Sequence, residues 1–136
     1  MLSLTELGII PIAIMYSALF VEGIVISKEL VAASTRPLLL SVLTRGEDYG
    51  YAIIQRVREL SGGELEWSEG MLYPVLHRLE REKLILSRWK KSENGRKRKY
   101  YRLSATGSRA MKAERQQWFT IHSTLGKLWG ENACPA

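Results

Sequence analysis

Four cations stand in a row at Arg96, Lys97, Arg98 and Lys99, within the stretch KKSENGRKRKYYRLSATG that runs from Lys90 to Gly107. Like charges repel, so a fold gains nothing from crowding them on one side of a turn. A polyanion outside the protein changes that balance: its phosphates offset the repulsion, and the counterions it sheds drive association. Over residues 78–102 eleven Lys or Arg face three Glu, a net of +8. The rest of the chain carries nine cations against eleven acids, so the whole excess of +6 sits in one segment. Such localisation points to an anionic partner bound at one place. A solvated charge run is the alternative.

A second set of candidates precedes it in SEGMLYPVLHRLEREKLI, residues 68–85. Ser68 suits the cap of a helix. At about 100° per residue, Leu72, Val75, Leu76 and Leu79 form one buried stripe. The opposite side presents Gly70, His77 and Arg81, flanked by Tyr73 and Arg78. Those donors can reach base edges and phosphates in a major groove about 12 Å wide. Gly70 would let the helix backbone approach DNA closely. Against this, Arg78, Glu80, Arg81 and Glu82 can simply solvate an outer face, and His77 can be a passive surface residue.

The chemistry that is missing narrows the field. Cys134 is the one cysteine, so no intrachain disulfide can form, and a reducing compartment fits. His77 and His122 are the only histidines and have no set of Cys, Asp or Glu at ligand spacing beside them, so no metal is expected. No G-x-x-x-x-G-K, G-x-S-x-G or H-E-x-x-H occurs. Neither an enzyme nor a cofactor is expected.

The elements that must position these residues follow from pattern. A chain of 136 residues with 46% apolar and 25% charged residues reads as one globular domain. SKELVAASTRPLLLSVLTRG is expected to be helical in its later part, with Pro37 in the first turn, Leu38, Leu39, Val42 and Leu43 on the apolar face, and Gly46 as the stop. EDYGYAIIQRVRELSGG reads as a second helix buried through Ile53, Ile54, Val57 and Leu60 and ended by Gly62 and Gly63. ELEW is a short extended piece. The third helix carries Pro74 beyond its first turn, where a proline loses a backbone bond, so an irregular start is expected. LILSRWKK and RKRKYYRL are two strands around the turn SENG, with Gly95 supplying unusual backbone angles.

Three helices, a hairpin and another helix are the order of a winged helix-turn-helix, a mainly α (α+β) fold. Strand alternation sends Tyr101 and Leu103 to the core face and Arg98, Tyr100 and Arg102 to the other. Lys90, Lys91, Arg96, Lys97 and Arg98 are expected at the wing tip, beyond the reach of neutralising strand partners. There they would touch phosphates, with Arg96 or Arg98 entering a minor groove. The expected organisation is a winged-helix DNA-binding domain at 27–103, a C-terminal dimerisation helix at 104–130 and a tail at 131–136.

In SATGSRAMKAERQQWFTIHSTLGKLW, Met111, Trp118 and Leu125 recur every seven residues, and Ile121 and Leu128 run alongside at the same step. That is the seam of a helix packed on another helix. A second copy of the chain is the simplest partner, and packing within one chain is the alternative. Twofold symmetry would then present two recognition helices to half-sites about 34–36 Å apart. Trp118, Phe119 and Trp129 can also line a pocket for a flat hydrophobic effector, or simply pack.

Residues 1–26 do not match the rest. GIIPIAIMYSALFVEGIVI, residues 8–26, is almost wholly apolar and long enough to span a bilayer. Glu22 within it, Pro11 and the lack of a preceding Lys or Arg argue against a span. An added packing helix, an early start codon and a membrane role remain open for this extension, with a membrane partner the least favoured.

RPLLLSVLTRGEDYGYAIIQRV, SEGMLYPVLHRLEREKLI and GRKRKYYRLSATG resemble the PadR family of bacterial transcriptional regulators. The likeness runs over about residues 36–129 and also accounts for Pro74, since the family carries a Tyr-Pro pair in that helix. It implies a dimeric winged-helix repressor, with the C-terminal helix, often joined by an N-terminal one, forming the homodimer. Together with the +8 segment, the polar face of the third helix and the seven-residue seam, the expected function is a cytoplasmic repressor acting on an inverted-repeat operator in double-stranded DNA. By position, Ser68, Gly70, Tyr73, His77 and Arg78 match the family's recognition segment, and Lys91, Arg96, Lys97 and Arg98 its wing. The single C-terminal helix, ending near Trp129, is similar to the short-tailed branch. The apolar extension departs from the pattern. Similar members respond to varied aromatic or drug-like compounds, so an aromatic small-molecule effector is possible, but its identity does not carry over. A winged-helix module binding an acidic protein or RNA, and a membrane-tethered sensor, are the rival functions.

Overall fold

The computed structural model describes residues 24–130. The expectations for 1–23 and for the tail at 131–136 lie outside them. Helix α1 spans Lys28–Val42 and begins at Ser27, whose Oγ accepts the Leu30 N–H at 3.2 Å. The first helix therefore starts nine residues before Pro37, not at it. Pro37 lies mid-helix, two residues beyond Thr35 and three beyond Ser34, whose hydroxyls both donate back to the Val31 carbonyl. A cap acting at Ser27 and the burial of Leu39 and Leu40 hold the helix through the proline.

A single 3-10 turn, Leu43–Arg45, leads to Gly46 at φ +132° and then to β1, Asp48–Tyr49. This strand was not legible in the sequence, because two residues carry no alternation. Helix α2, Gly50–Leu60, buries Ile53, Ile54 and Val57, but Leu60 is 63% exposed, contrary to its place in the expected stripe. The chain then turns through Gly62 and Gly63, both at positive φ. Residues 64–67 belong to no helix or strand, and Trp67 drops into the core.

Helix α3 spans Glu69–Arg81 and is capped by Ser68 Oγ, which accepts the Met71 N–H at 3.2 Å. Leu72, Leu76 and Leu79 are its buried stripe, and Val75, expected in that stripe, is half-buried beside it. The helix is regular from its first residue despite Pro74, so the expected irregular start is not found. Pro74 deprives only the Gly70 carbonyl of a helical donor, and Gly70 is exposed, where solvent can serve that oxygen.

Strands β2, Ile85–Lys91, and β3, Lys97–Leu103, pair antiparallel, with β1 on the far side of β3, giving the order β1-β3-β2. Gly95 turns the hairpin at φ +80°. Tyr101 is 1% exposed and Leu103 packs on the core beside it, as alternation requires. Helix α4, Ala105–Trp129, starts at Ser104, whose Oγ accepts the Gly107 N–H at 2.9 Å and donates to the Lys83 carbonyl at 2.7 Å. Its first half lies against α1, where Met111 joins the core cluster. The fold is that of a winged helix with a long C-terminal helix. Among the described residues no helix is long and apolar enough to cross a membrane.

Candidate nucleic-acid interface

The hairpin has two faces, and its register says which residue lies on which. Ile85 pairs with Leu103, Ser87 with Tyr101, Trp89 with Lys99 and Lys91 with Lys97, all on the face toward α3. Leu86 pairs with Arg102, Arg88 with Tyr100 and Lys90 with Arg98 on the outer face. Helix α3 is fastened to the inner face through Glu80, which accepts from the Ser87 hydroxyl and lies 3.6 Å from Lys99 Nζ.

Opposed like charges across a ladder destabilise it, and the two charged pairs near the tip are relieved very differently. On the outer face the Lys90 ammonium pairs with Glu47 and lies 4.3 Å from the Tyr100 ring centroid. Opposite it the Arg98 guanidinium sits 4.2 Å from the Tyr49 ring centroid, and Tyr49 meets Tyr100 edge-on at 5.5 Å. Glu47 also accepts two bonds from Arg88, at 2.8 and 3.0 Å. The hydrogen bond from Arg88, then that from Lys90, holds the Glu47 carboxyl down at about 2. The expectation that these cations stay unneutralised is therefore corrected for Lys90, whereas Arg98 keeps its charge and is stacked on a ring. Glu47 lies just before β1, and only tertiary folding brings it to the wing.

On the inner face the Lys91–Lys97 pair has no such relief. Both are exposed, as is Arg96, and among the described residues no carboxylate lies within ion-pair distance of any of the three. Arg78 and Arg81 on α3 are likewise exposed and unpaired among the described residues. The salt bridges expected to lace that helix face, the bland alternative, are not made by these two arginines.

Between α3 and the wing opens a cleft of about 690 Å3. Tyr73 and His77 line it from α3, and Arg96, Lys97, Arg98 and Lys99 from the wing. The fold thus brings five of the nine sequence-derived DNA candidates to one concavity. Ser68, Gly70, Arg78 and Lys91 are not part of its wall. Gly70, His77 and Arg78 are exposed on α3, and Lys91 is exposed at the tip. Ser68 is occupied as a cap. Tyr73 is half-buried: a methyl group on Gly50 would stand 2.7 Å from its hydroxyl oxygen, so the start of α2 packs directly on this ring.

The profile of the transcriptional regulator PadR-like family matches residues 39–113. This chain belongs to that family. A solved PadR-like transcriptional regulator of Bacillus cereus superposes on it with a TM-score of 0.69 at 28% identity, covering 77% of this chain and 100% of the other. A transcriptional regulator of Clostridium thermocellum does so at 0.68 and 28% identity, covering 76% and 97%. Transcriptional regulator YqjI of Escherichia coli is 30% identical over 82 residues, which span 60% of this chain and 38% of that protein.

In this PadR-like regulator the seven-residue seam of α4 divides. Met111 and Trp118 are half-buried and, with Leu30, Pro37 and Leu38 of α1, line an apolar groove of about 400 Å3. Ile121, Leu125, Leu128 and Trp129 lie beyond the core and are 54%, 36%, 76% and 63% exposed. The first half of the helix therefore covers its own chain, which the seam alone did not separate from pairing between chains. Sequence reading also missed Tyr51, Trp89 and Lys99 in the cleft wall. Trp89 had a signal, an aromatic alternating with cations along a strand; Tyr51 had none, because α2 gave no hint of facing the wing.

Proposed function

We propose that this PadR-like protein is a cytoplasmic repressor that binds operator duplex DNA as a homodimer. One observation carries the reading. The exposed cations Lys91 and Lys97 lie on the wing face turned toward α3, Arg96 lines the cleft beside them, and the outer side of α3 offers Gly70, His77 and Arg78. A duplex can meet both at once, the helix in the major groove and the wing on the adjoining backbone, and its phosphates replace the missing carboxylates. Ser68, Tyr73 and Arg98 support this surface by capping and packing rather than by free donors.

The exposed stripe Ile121, Leu125, Leu128 and Trp129 supports pairing of two chains through α4, because an apolar patch of that length on a projecting helix is costly in water. The groove at Met111 and Trp118 supports an aromatic effector bound beside that seam. Titration of labelled duplex at several salt concentrations tests the reading. Affinity should fall steeply, with a slope of about −0.9 per neutralised phosphate. A flat response, or preference for structured RNA in competition, would remove it.

A further inference from the structure

Trp89 is 63% exposed in the middle of β2. It stands where the cover provided by α3 ends. On the same face, Ile85 is fully buried and the Ser87 hydroxyl is bonded to Glu80 of α3. One step further out, Trp89 lies opposite Lys99; beyond it come Lys91 and Lys97 at the tip. The indole therefore sits between a cation pair and the body of the domain, in the wall of the same cleft as Tyr73, His77 and Lys97.

We infer that the Trp89 indole packs on the sugar of the DNA strand that separates the groove entered by α3 from the groove beside the wing. The inference rests on the operator-binding reading above. If α3 lies in one groove and the wing beside the next, the object between them is a sugar-phosphate strand. Such a strand alternates anionic phosphates with apolar sugar faces. The inner face of the wing alternates in the same way: Lys91 and Lys97, then Trp89 beside Lys99, each step about 6.8 Å along a strand. Lys97 and Arg96 answer the phosphates and the indole answers the sugar. A residue that only filled the fold would be covered by α3, as Ile85 is; Trp89 is left open in a wall whose charge suits one class of partner. Its contact is apolar, so it adds affinity without adding to counterion release, and it does so at any base sequence.

The test uses the full chain, a labelled mixed-sequence duplex and a range of salt concentrations. Trp89→Ala should weaken binding about five- to tenfold at every concentration and leave the salt slope unchanged. Trp89→Phe should retain most of the affinity. Lys97→Ala should instead make the slope shallower by about 0.9. Adding duplex should quench indole emission in the wild type, and that quenching should be lost in Trp89→Phe, a readout that does not require the alanine variant to fold. Wild-type affinity in Trp89→Ala, a slope change like that of Lys97→Ala, or quenching that survives in Trp89→Phe would each overturn the inference. Failure of the wild type itself to bind duplex would bring down the operator reading first.

Discussion

Arg36 Nε donates to Glu114 Oε1 at 2.6 Å, tying the middle of α1 to the first half of α4. Through Nη1 the same guanidinium donates to Glu82 Oε2 at 2.8 Å, at the C-terminal end of α3. One side chain thus joins the helix proposed to read DNA to the pair of helices that build the apolar groove. Arg36→Ala would leave the Glu114 carboxylate, only 21% exposed, without its cation. We expect a loss of about 1–3 kcal/mol, read as a lower urea midpoint with an unchanged slope.

Two glycines should respond in opposite ways to alanine. A Cβ on Gly107 would stand 1.9 Å from the Leu84 carbonyl oxygen, and backbone cannot move aside as a side chain can. Gly107→Ala should cost about 2–4 kcal/mol, measured by thermal or urea unfolding. A Cβ on Gly70 meets nothing closer than Ser68 Oγ at 4.0 Å. Gly70→Ala should therefore stabilise the protein by about 0.5–1 kcal/mol. If the backbone there approaches DNA, the same variant should bind operator more weakly while melting at a higher temperature.

The wing cations should not be equivalent. Arg96 and Lys97 are exposed and unpaired among the described residues, whereas Arg98 is held over Tyr49. Alanine at Arg96 or Lys97 should each reduce the salt slope by about 0.9 and weaken binding to all sequences alike. Arg98→Ala should change the slope less and stability more. Arg78→Ala should instead narrow the gap between operator and random duplex by about 1–3 kcal/mol if its base contact is lost.

Glu47 and Tyr101 set the acid and alkaline limits of the wing. Glu47 has a depressed carboxyl, so the stability it contributes is fully present above about 4.5, its ordinary value, and drains away as pH falls toward about 2. Glu47→Gln should remove that acid step and free Arg88 and Lys90. Tyr101 is raised to about 12, chiefly by burial, then by the nearby charge of Glu80 and by Tyr73. Its contribution is complete below about 10 and is lost as pH climbs through about 12. Unfolding followed by circular dichroism across both ranges checks each sign.

Ile121, Leu125, Leu128 and Trp129 are exposed in the single chain, so replacing them should not unfold it. Leu125→Ala with Leu128→Ala should yield a folded monomer by sedimentation and weaken binding to an inverted repeat far more than to a single half-site. Met111→Ala, by contrast, should lower stability, because that residue packs on its own core.

Ser68, Gly95 and the alternation that buries Tyr101 were readable from the sequence because each acts within a few residues of itself. A cap reaches three positions on, a turn glycine sets its own φ, and a strand residue chooses its face by parity. Those local rules, with the +8 segment, determined the order of helices and wing and where the positive charge gathers. Pro37 was misplaced because Ser27 and the core decide where α1 begins, and Leu60 because periodicity says nothing about how far the core extends. What only the tertiary structure decided is which charges remain free. Glu47 reaches Arg88 across 41 positions and Arg36 reaches Glu114 across 78, and no pattern of neighbours encodes either contact. Coulomb attraction and cation–π stacking act through space, so the same run of four cations becomes, once folded, two that are tied down and two that are open to phosphate.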